Sequence, residues 1–145
     1  MQFACKTFCE LTGAQVYEIL KARQQIFMLE QEILCLDMDD KDYDSIHFFL
    51  EEEGKILAYM RAFYLDDSQA TLKIGRVLTM SHGKGLGRQL MESAMQQIRS
   101  EGKAGSLFVH SQVQAAGFYE KMGFATISEP FLEEGVWHVS MSRIL

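Results

Sequence analysis

The sequence predicts an α+β fold in which a mixed, mostly antiparallel sheet packs against helices, and three observations predict it. Residues 46–79 alternate apolar and polar with period two on either side of a Glu53-Gly54 turn, the pattern of an antiparallel meander. At 85–99 the period changes to 3.6, with Leu86, Leu90, Ala94 and Ile98 spaced four apart on one helical face. Beyond that helix, short apolar runs flank a second compact helix, so helices are interspersed among the strands.

Each element has its own local warrant. Residues 3–11 alternate loosely and read as a first strand. Thr12 and Gln15 form a capping box, with Leu11 and Val16 as its hydrophobic staple, so a helix starts at 13. Val16, Ile19, Leu20, Arg23 and Phe27 keep mostly to one face and carry it to about 28. The acidic stretch 37–44 is too polar for a core and reads as a solvated loop. Ile46–Glu52 and Lys55–Tyr64 form a hairpin; Leu65-Asp66-Asp67-Ser68 turns the chain, and 70–79 completes the meander. The helix at 85–99 stops near Gly102. Residues 106–110 are a short buried strand, and 112–122 a helix with Gly123 as its left-handed C-cap. The last two strands, 124–128 and Val136–Ile144, are separated by a loop holding Pro130.

Bulk properties narrow the function. A length of 145 residues fits one domain, 1–145, around one core. Its 48% hydrophobic and 23% charged residues are ordinary for a soluble protein, and no apolar run approaches the roughly 20 residues of a membrane helix. The first residues show no basic region followed by an apolar stretch, so a cytoplasmic protein is expected. Cys5, Cys9 and Cys35 have no metal-ligand spacing and read as free buried thiols. A net charge of −6 speaks against nucleic acid and suits a cationic or neutral small partner.

The most informative segment is Val77-Leu78-Thr79-Met80-Ser81-His82-Gly83-Lys84-Gly85-Leu86-Gly87-Arg88, between a strand and a helix. Alternating glycines there let the backbone bend tightly and aim several N–H groups outward at a helix N-terminus, which makes a pyrophosphate cradle. Lys84 and Arg88 add cationic side chains. A dinucleotide fingerprint needs its third glycine one residue later, and a P-loop needs Ser or Thr where Gly85 follows Lys84.

This segment resembles the coenzyme-A-binding signature of the GNAT superfamily, V-x-x-x-x-[RQ]-G-x-G-x-[GA], with Val77, Gly83, Gly85 and Gly87 in register and His82 in the Arg/Gln place. About 30 residues on, 112–124 resembles the second signature, N-x-x-A-x-x-F-Y-x-K-x-G-F, with Gln112 for Asn. Phe27-Met28-Leu29-Glu30-Gln31, His47, Ala58-Tyr59-Met60-Arg61, Ile74-Gly75-Arg76-Val77 and Glu134-Gly135-Val136-Trp137-His138 are similar to the ElaA-like branch. The resemblance implies a three-layer α/β/α fold whose neighbouring parallel strands, 73–79 and 106–110, splay to admit a pantetheine arm. It implies an acetyl-CoA-dependent N-acetyltransferase, with acetyl-CoA as co-substrate and no metal, in which an amine attacks the thioester directly. Main-chain groups at Val77, Leu78 and Thr79 would hold the pantetheine, with Leu78 the oxyanion donor. His82, Gly83, Lys84, Gly85, Leu86, Gly87 and Arg88 would hold the phosphates, joined by Gln112 and Lys121 from the second signature. Tyr119 would protonate the departing thiolate.

The general base is left by the resemblance to position and chemistry. Glu30, where the first helix gives way to acidic residues, comes first as a partly desolvated carboxylate; His138 and then His110 follow. The acidic loop also invites a calcium reading, since Asp40, Asp42, Asp44 and Glu51 fall on ligand positions, but Ser45 stands where that loop needs glycine and a strand follows at once. Drawing in a cationic amine is the other role for this loop. The alternatives to an enzyme are an acyl-CoA-binding sensor with the same cradle and no turnover, and a domain binding another nucleotide. The acceptor is an amine of cationic character, and the chain a monomer or homodimer.

Overall fold

The computed structural model describes residues 1–145 except Asp67 and Gln69, so part of the turn expected at 65–68 lies outside the described residues. The elements are β1 (Gln2–Thr7), α1 (Gly13–Arg23), β2 (Ile46–Glu52), β3 (Lys55–Tyr64), β4 (Thr71–Thr79), α2 (Leu86–Glu101), β5 (Ser106–Gln112), α3 (Ala116–Lys121), β6 (Ala125–Thr126), β7 (Phe131–Glu133) and β8 (Val136–Ile144). The sheet runs β1-β2-β3-β4-β5-β8-β6 with β7 pairing β8, and β4 with β5 is its one parallel pairing among the described residues.

Helices cover both faces, giving the expected three layers. The amphipathic stripe of α2, Leu90, Met91, Ala94, Met95 and Ile98, packs on Phe48, Met60, Leu72, Ile74, Leu107 and Met141. Burial of each such side chain stabilises by about 1.5–3 kcal/mol relative to exposure. On the opposite face Ile19, Ala22 and Ile26 pack on Phe49, Tyr59 and Leu78. The Thr12–Gln15 capping box forms in both directions, at 3.1 and 3.0 Å. Gly102 (φ 69°) and Gly123 (φ 88°) end α2 and follow α3 in the left-handed region, where a Cβ is disfavoured.

Four expectations are corrected. The first strand ends at Thr7, because the Glu10 carboxylate accepts from the Thr7 N–H at 2.9 Å and winds Phe8–Glu10 into a 3₁₀ turn. The first helix continues past Arg23 as a π-helical segment, Gln24–Glu30, with Gln31 N–H donating to Ile26 O at 2.9 Å. The Pro130 loop contains a strand, β7, in a tight hairpin with β8. The three thiols are free, but Cys9 is exposed and the other two only half-buried; burial nevertheless pushes the Cys5 thiol up to about 11.

The sheet opens where the site lies. β4 and β5 pair from Thr71↔Ser106 to Ile74↔Val109 and then separate. On its other edge β4 goes from Gly75↔Arg61 to Leu78↔Tyr59, which leaves Arg76 and Val77 opposite no β3 residue but Met60. This bulge puts Arg76 at φ 54°, a left-handed conformation rare for a residue with a Cβ, and bends β4 away from β5. The Arg76 guanidinium is held there by Asp37, Nε to Oδ1 at 2.7 Å and Nη2 to the carbonyl at 2.9 Å. β5 meanwhile stays with β8 as far as Gln112↔His138, so the two strands frame an open gap.

Candidate active site

A cavity of about 430 Å³ occupies this gap, with Gly75, Arg76 and Val77 of β4 on one side, His110 and Gln112 of β5 on the other, and Tyr119 and His138 among its walls. Above it the glycine-rich loop leads into α2. Gly83 (φ 75°) and Gly85 (φ 70°) are both left-handed, and a Cβ on either would meet nothing within 4 Å, so both positions border open space. Gly85 is the N-cap of α2 and supplies no capping side chain. The first N–H groups of this 16-residue helix therefore lack an intrahelical acceptor, and the helix dipole adds positive potential there. That geometry fits a pyrophosphate. Arg88 is exposed and paired with Glu92 at 2.8 Å, so its charge is partly engaged. Lys84 and Lys121 are exposed, and Gln112 donates to Gln31 Oε1 at 2.9 Å.

Two expectations about the main chain and Glu30 change. Met80 N–H donates to Leu57 O at 2.9 Å, and successive N–H groups of a strand alternate sides, so Leu78 N–H turns back to β3 while that of Thr79 faces the gap. Val77, freed by the bulge, has no ladder partner. Leu78 is thus poorly oriented as oxyanion donor; its side chain is buried under α1. Glu30 is not desolvated: its side chain is 49% exposed, it contacts His82 Nε2 at 3.2 Å, and it does not line the cavity. The widened Gln24–Glu30 segment carries it to His82 of the glycine-rich loop instead.

Tyr119 is buried, with its ring edge-on to Phe118 and Phe124 at 5.1 and 5.6 Å between centroids. Its hydroxyl makes no hydrogen bond to another described residue, although the side chain borders the cavity. Burial alone raises its pKa, which keeps the phenol protonated through neutral and alkaline pH.

Lining the same cavity is a cluster that sequence reasoning only half found. His110 Nδ1 donates to Glu133 Oε1 at 2.9 Å, and His138 Nε2 lies 3.7 Å from Glu133 Oε2. His138 Nδ1 is 2.7 Å from Val136 O, a pure acceptor, so Nδ1 carries a proton and Nε2 is the nitrogen left to present a lone pair in the neutral ring. Glu133 was missed because its three-residue strand has no periodicity of its own; the Glu134-Gly135 turn before β8 was the available signal.

The acidic stretch is not a free loop. Arg23 Nε donates to Asp37 Oδ2 at 2.9 Å and Nη1 to Asp42 Oδ1 at 2.7 Å. Arg61 grips Asp39 with both Nη atoms, at 2.7 and 2.6 Å, and reaches Asp42 at 3.0 Å. The hydrogen bonds from Arg61 hold the Asp39 carboxyl well below the usual range. Burial is the strongest influence on Asp42 and raises its pKa, but the bonds and charges of Arg23 and Arg61 together outweigh it and the pKa is lowered. Three aspartates are thus neutralised by Arg23, Arg61 and Arg76, which leaves Asp42 unavailable to calcium and removes most of the loop's pull on a cation.

Comparison with known proteins shows the family. A family model described as an acetyltransferase (GNAT) domain matches residues 15–145. Protein ElaA of Escherichia coli is 28% identical over 138 residues, 92% of this chain and 90% of that one. A relative in Schizosaccharomyces pombe is 32% identical over 145 residues, 97% of this chain and 95% of that one. The crystal structure of an acyl-CoA N-acyltransferase from Pseudomonas aeruginosa matches with a TM-score of 0.90 at 30% identity, covering 99% of both chains. That of Escherichia coli ElaA matches at 0.89 and 27%, covering 98% of both. The fold is that of an acyl-CoA-dependent N-acyltransferase. The chain belongs to the GNAT acetyltransferase family, in its ElaA-like branch.

Proposed function

We propose that this protein moves an acetyl group from acetyl-CoA to a primary amine by direct attack, with His138 as general base and Tyr119 as general acid. The observation that carries this reading is the convergence of an unpartnered phenol and an oriented imidazole lone pair on one cavity at the splayed strands. The coenzyme supplies the activated thioester. The N–H groups of Leu86, Gly87 and Arg88 would bind its pyrophosphate, with Lys84 adding charge. Val77 and Thr79 N–H would hold the pantetheine and polarise the carbonyl, with Val77 as oxyanion donor. His138 Nε2 takes the proton of the attacking amine, and Glu133 stabilises the imidazolium so formed. As the C–S bond breaks, its electron pair goes to sulfur, and Tyr119 gives that sulfur a proton.

Two experiments test this. Gly85→Asp is expected to weaken coenzyme A binding at least about tenfold by calorimetry, because a Cβ at φ 70° is strained and its carboxylate would stand in the anion site. Unchanged affinity in a folded variant would remove the cradle assignment. His138→Gln should lower kcat/KM for amines about a hundredfold near pH 7. The deficit should close towards pH 10, where free amine is abundant, because aliphatic ammonium groups titrate near 10. A deficit constant with pH would make His138 a positioning residue, and a larger loss from Glu30→Gln would return the base to that carboxylate.

A further inference from the structure

We propose that the acceptor is zwitterionic, with its carboxylate bound between Lys73 and Arg61 while its amine meets His138; this rests on the acyltransfer reading above. In the β3–β4 ladder Arg61 is opposite Gly75 and Phe63 opposite Lys73, so Arg61 and Lys73 are diagonal neighbours on one face of the sheet. Both line the cavity. The floor between them is Gly75, where a Cβ would meet nothing within 4 Å, so the space beside the two cations is open. Each cation has an unmet donor. The half-buried Lys73 ammonium makes no hydrogen bond or ion pair with any described residue. Arg61 is 3% exposed; its Nη1 bonds Asp39 and Asp42, its Nη2 makes one bond, to Asp39, and its Nε has no acceptor among the described residues.

Local charges confirm that the surplus is positive at this end of the cavity. The Arg23, Arg61 and Arg76 charges are cancelled by Asp37, Asp39 and Asp42, which leaves Lys73 and Lys41 unmatched on this side. Glu133, whose charge acts on Lys73, is engaged by His110. Burial lowers the Lys73 pKa, and the partial compensation from Glu133 does not reverse it. A carboxylate on the acceptor gives the Lys73 ammonium a partner and lies beside the positive charge of Arg61. The opposite wall, with Glu133, Glu134, His110 and His138, suits the ammonium end of the same molecule. The acceptor class is therefore an amino acid, or another small amine bearing a carboxylate.

The test uses matched pairs, each an α- or ω-amino acid and its carboxamide, at several amine-to-carboxylate spacings. Coenzyme release is followed with wild type and Lys73→Met. Wild type should show a KM at least about tenfold lower for the acid than for the amide of the best pair. Lys73→Met should erase that difference by raising the KM of the acid, with kcat for the amide unchanged, and Lys73→Arg should restore most of it. Equal KM values for acid and amide in wild type, or an equal loss on both from Lys73→Met, would overturn the carboxylate site while leaving acyl transfer intact. Absence of coenzyme release with every acid, amide and simple alkylamine would instead overturn the acyltransfer reading, and this proposal with it.

Discussion

Tyr119→Phe is expected to lower kcat by roughly ten- to a thousandfold and to leave coenzyme affinity unchanged. The substitution isolates one atom. Phe keeps the ring between Phe118 and Phe124, and the hydroxyl it removes has no hydrogen-bond partner among the described residues, so stability should change by less than about 0.5 kcal/mol. A tyrosine serving packing alone would lose neither stability nor turnover on this substitution. The leaving group gives a second readout. A thioester whose thiol is more acidic departs without help, so the deficit should shrink as the thiol pKa falls. The phenol is buried and its pKa raised, so Tyr119 should also produce no alkaline limb in the wild-type kcat profile up to about pH 10. If Phe leaves kcat intact with a coenzyme thioester, water supplies the proton and Tyr119 serves packing alone.

The parts of this molecule that were legible in the sequence are those written in neighbouring residues. The Ile46–Glu52 and Lys55–Tyr64 hairpin, the capping box, the α2 stripe and the glycine cradle each depend on spacing within a few residues. What stayed hidden depends on partners far apart. The acidic stretch looked solvated because Arg23, Arg61 and Arg76, which neutralise it, come from α1, β3 and β4. A weak signal existed: Arg23 falls on the apolar face of α1, and Arg61 lies within a run of buried residues, 58–62. A charge in such a place requires a partner. The bulge at Arg76 and the π-helical winding before Glu30 likewise have no periodic signature, and between them they decide which groups face the thioester.

Arg23→Met should destabilise the fold by about 3 kcal/mol, the lower end for breaking a buried pair, and lower Tm by roughly 6–12 °C. Arg23 is 1% exposed and bridges Asp37 and Asp42 from the end of α1, fixing the acidic segment against His47, whose Nε2 contacts Asp42 O at 2.9 Å. The loss is held to the lower end because Asp37 keeps Arg76 at 2.7 Å and Asp42 keeps Arg61 at 3.0 Å. The pH dependence has a definite sign. The folded-state pKa of Asp42 is depressed, so its contribution is complete above the ordinary aspartate value of about 3.9 and is lost as pH falls through the folded value. In the variant, burial acts on Asp42 without its main compensating bond, so it protonates at higher pH and relieves the unpaired charge. The stability gap between wild type and variant should therefore be full above about pH 5 and narrow below about pH 4. The double variant Arg23→Met with Asp42→Asn separates charge from packing. It leaves Arg61 with its two bonds to Asp39, at 2.7 and 2.6 Å, and removes the stranded carboxylate, so it should recover much of the loss. If the double variant is instead destabilised by the sum of the two single effects, Arg23 supports the fold through its volume under Tyr59 and not through the ion pair.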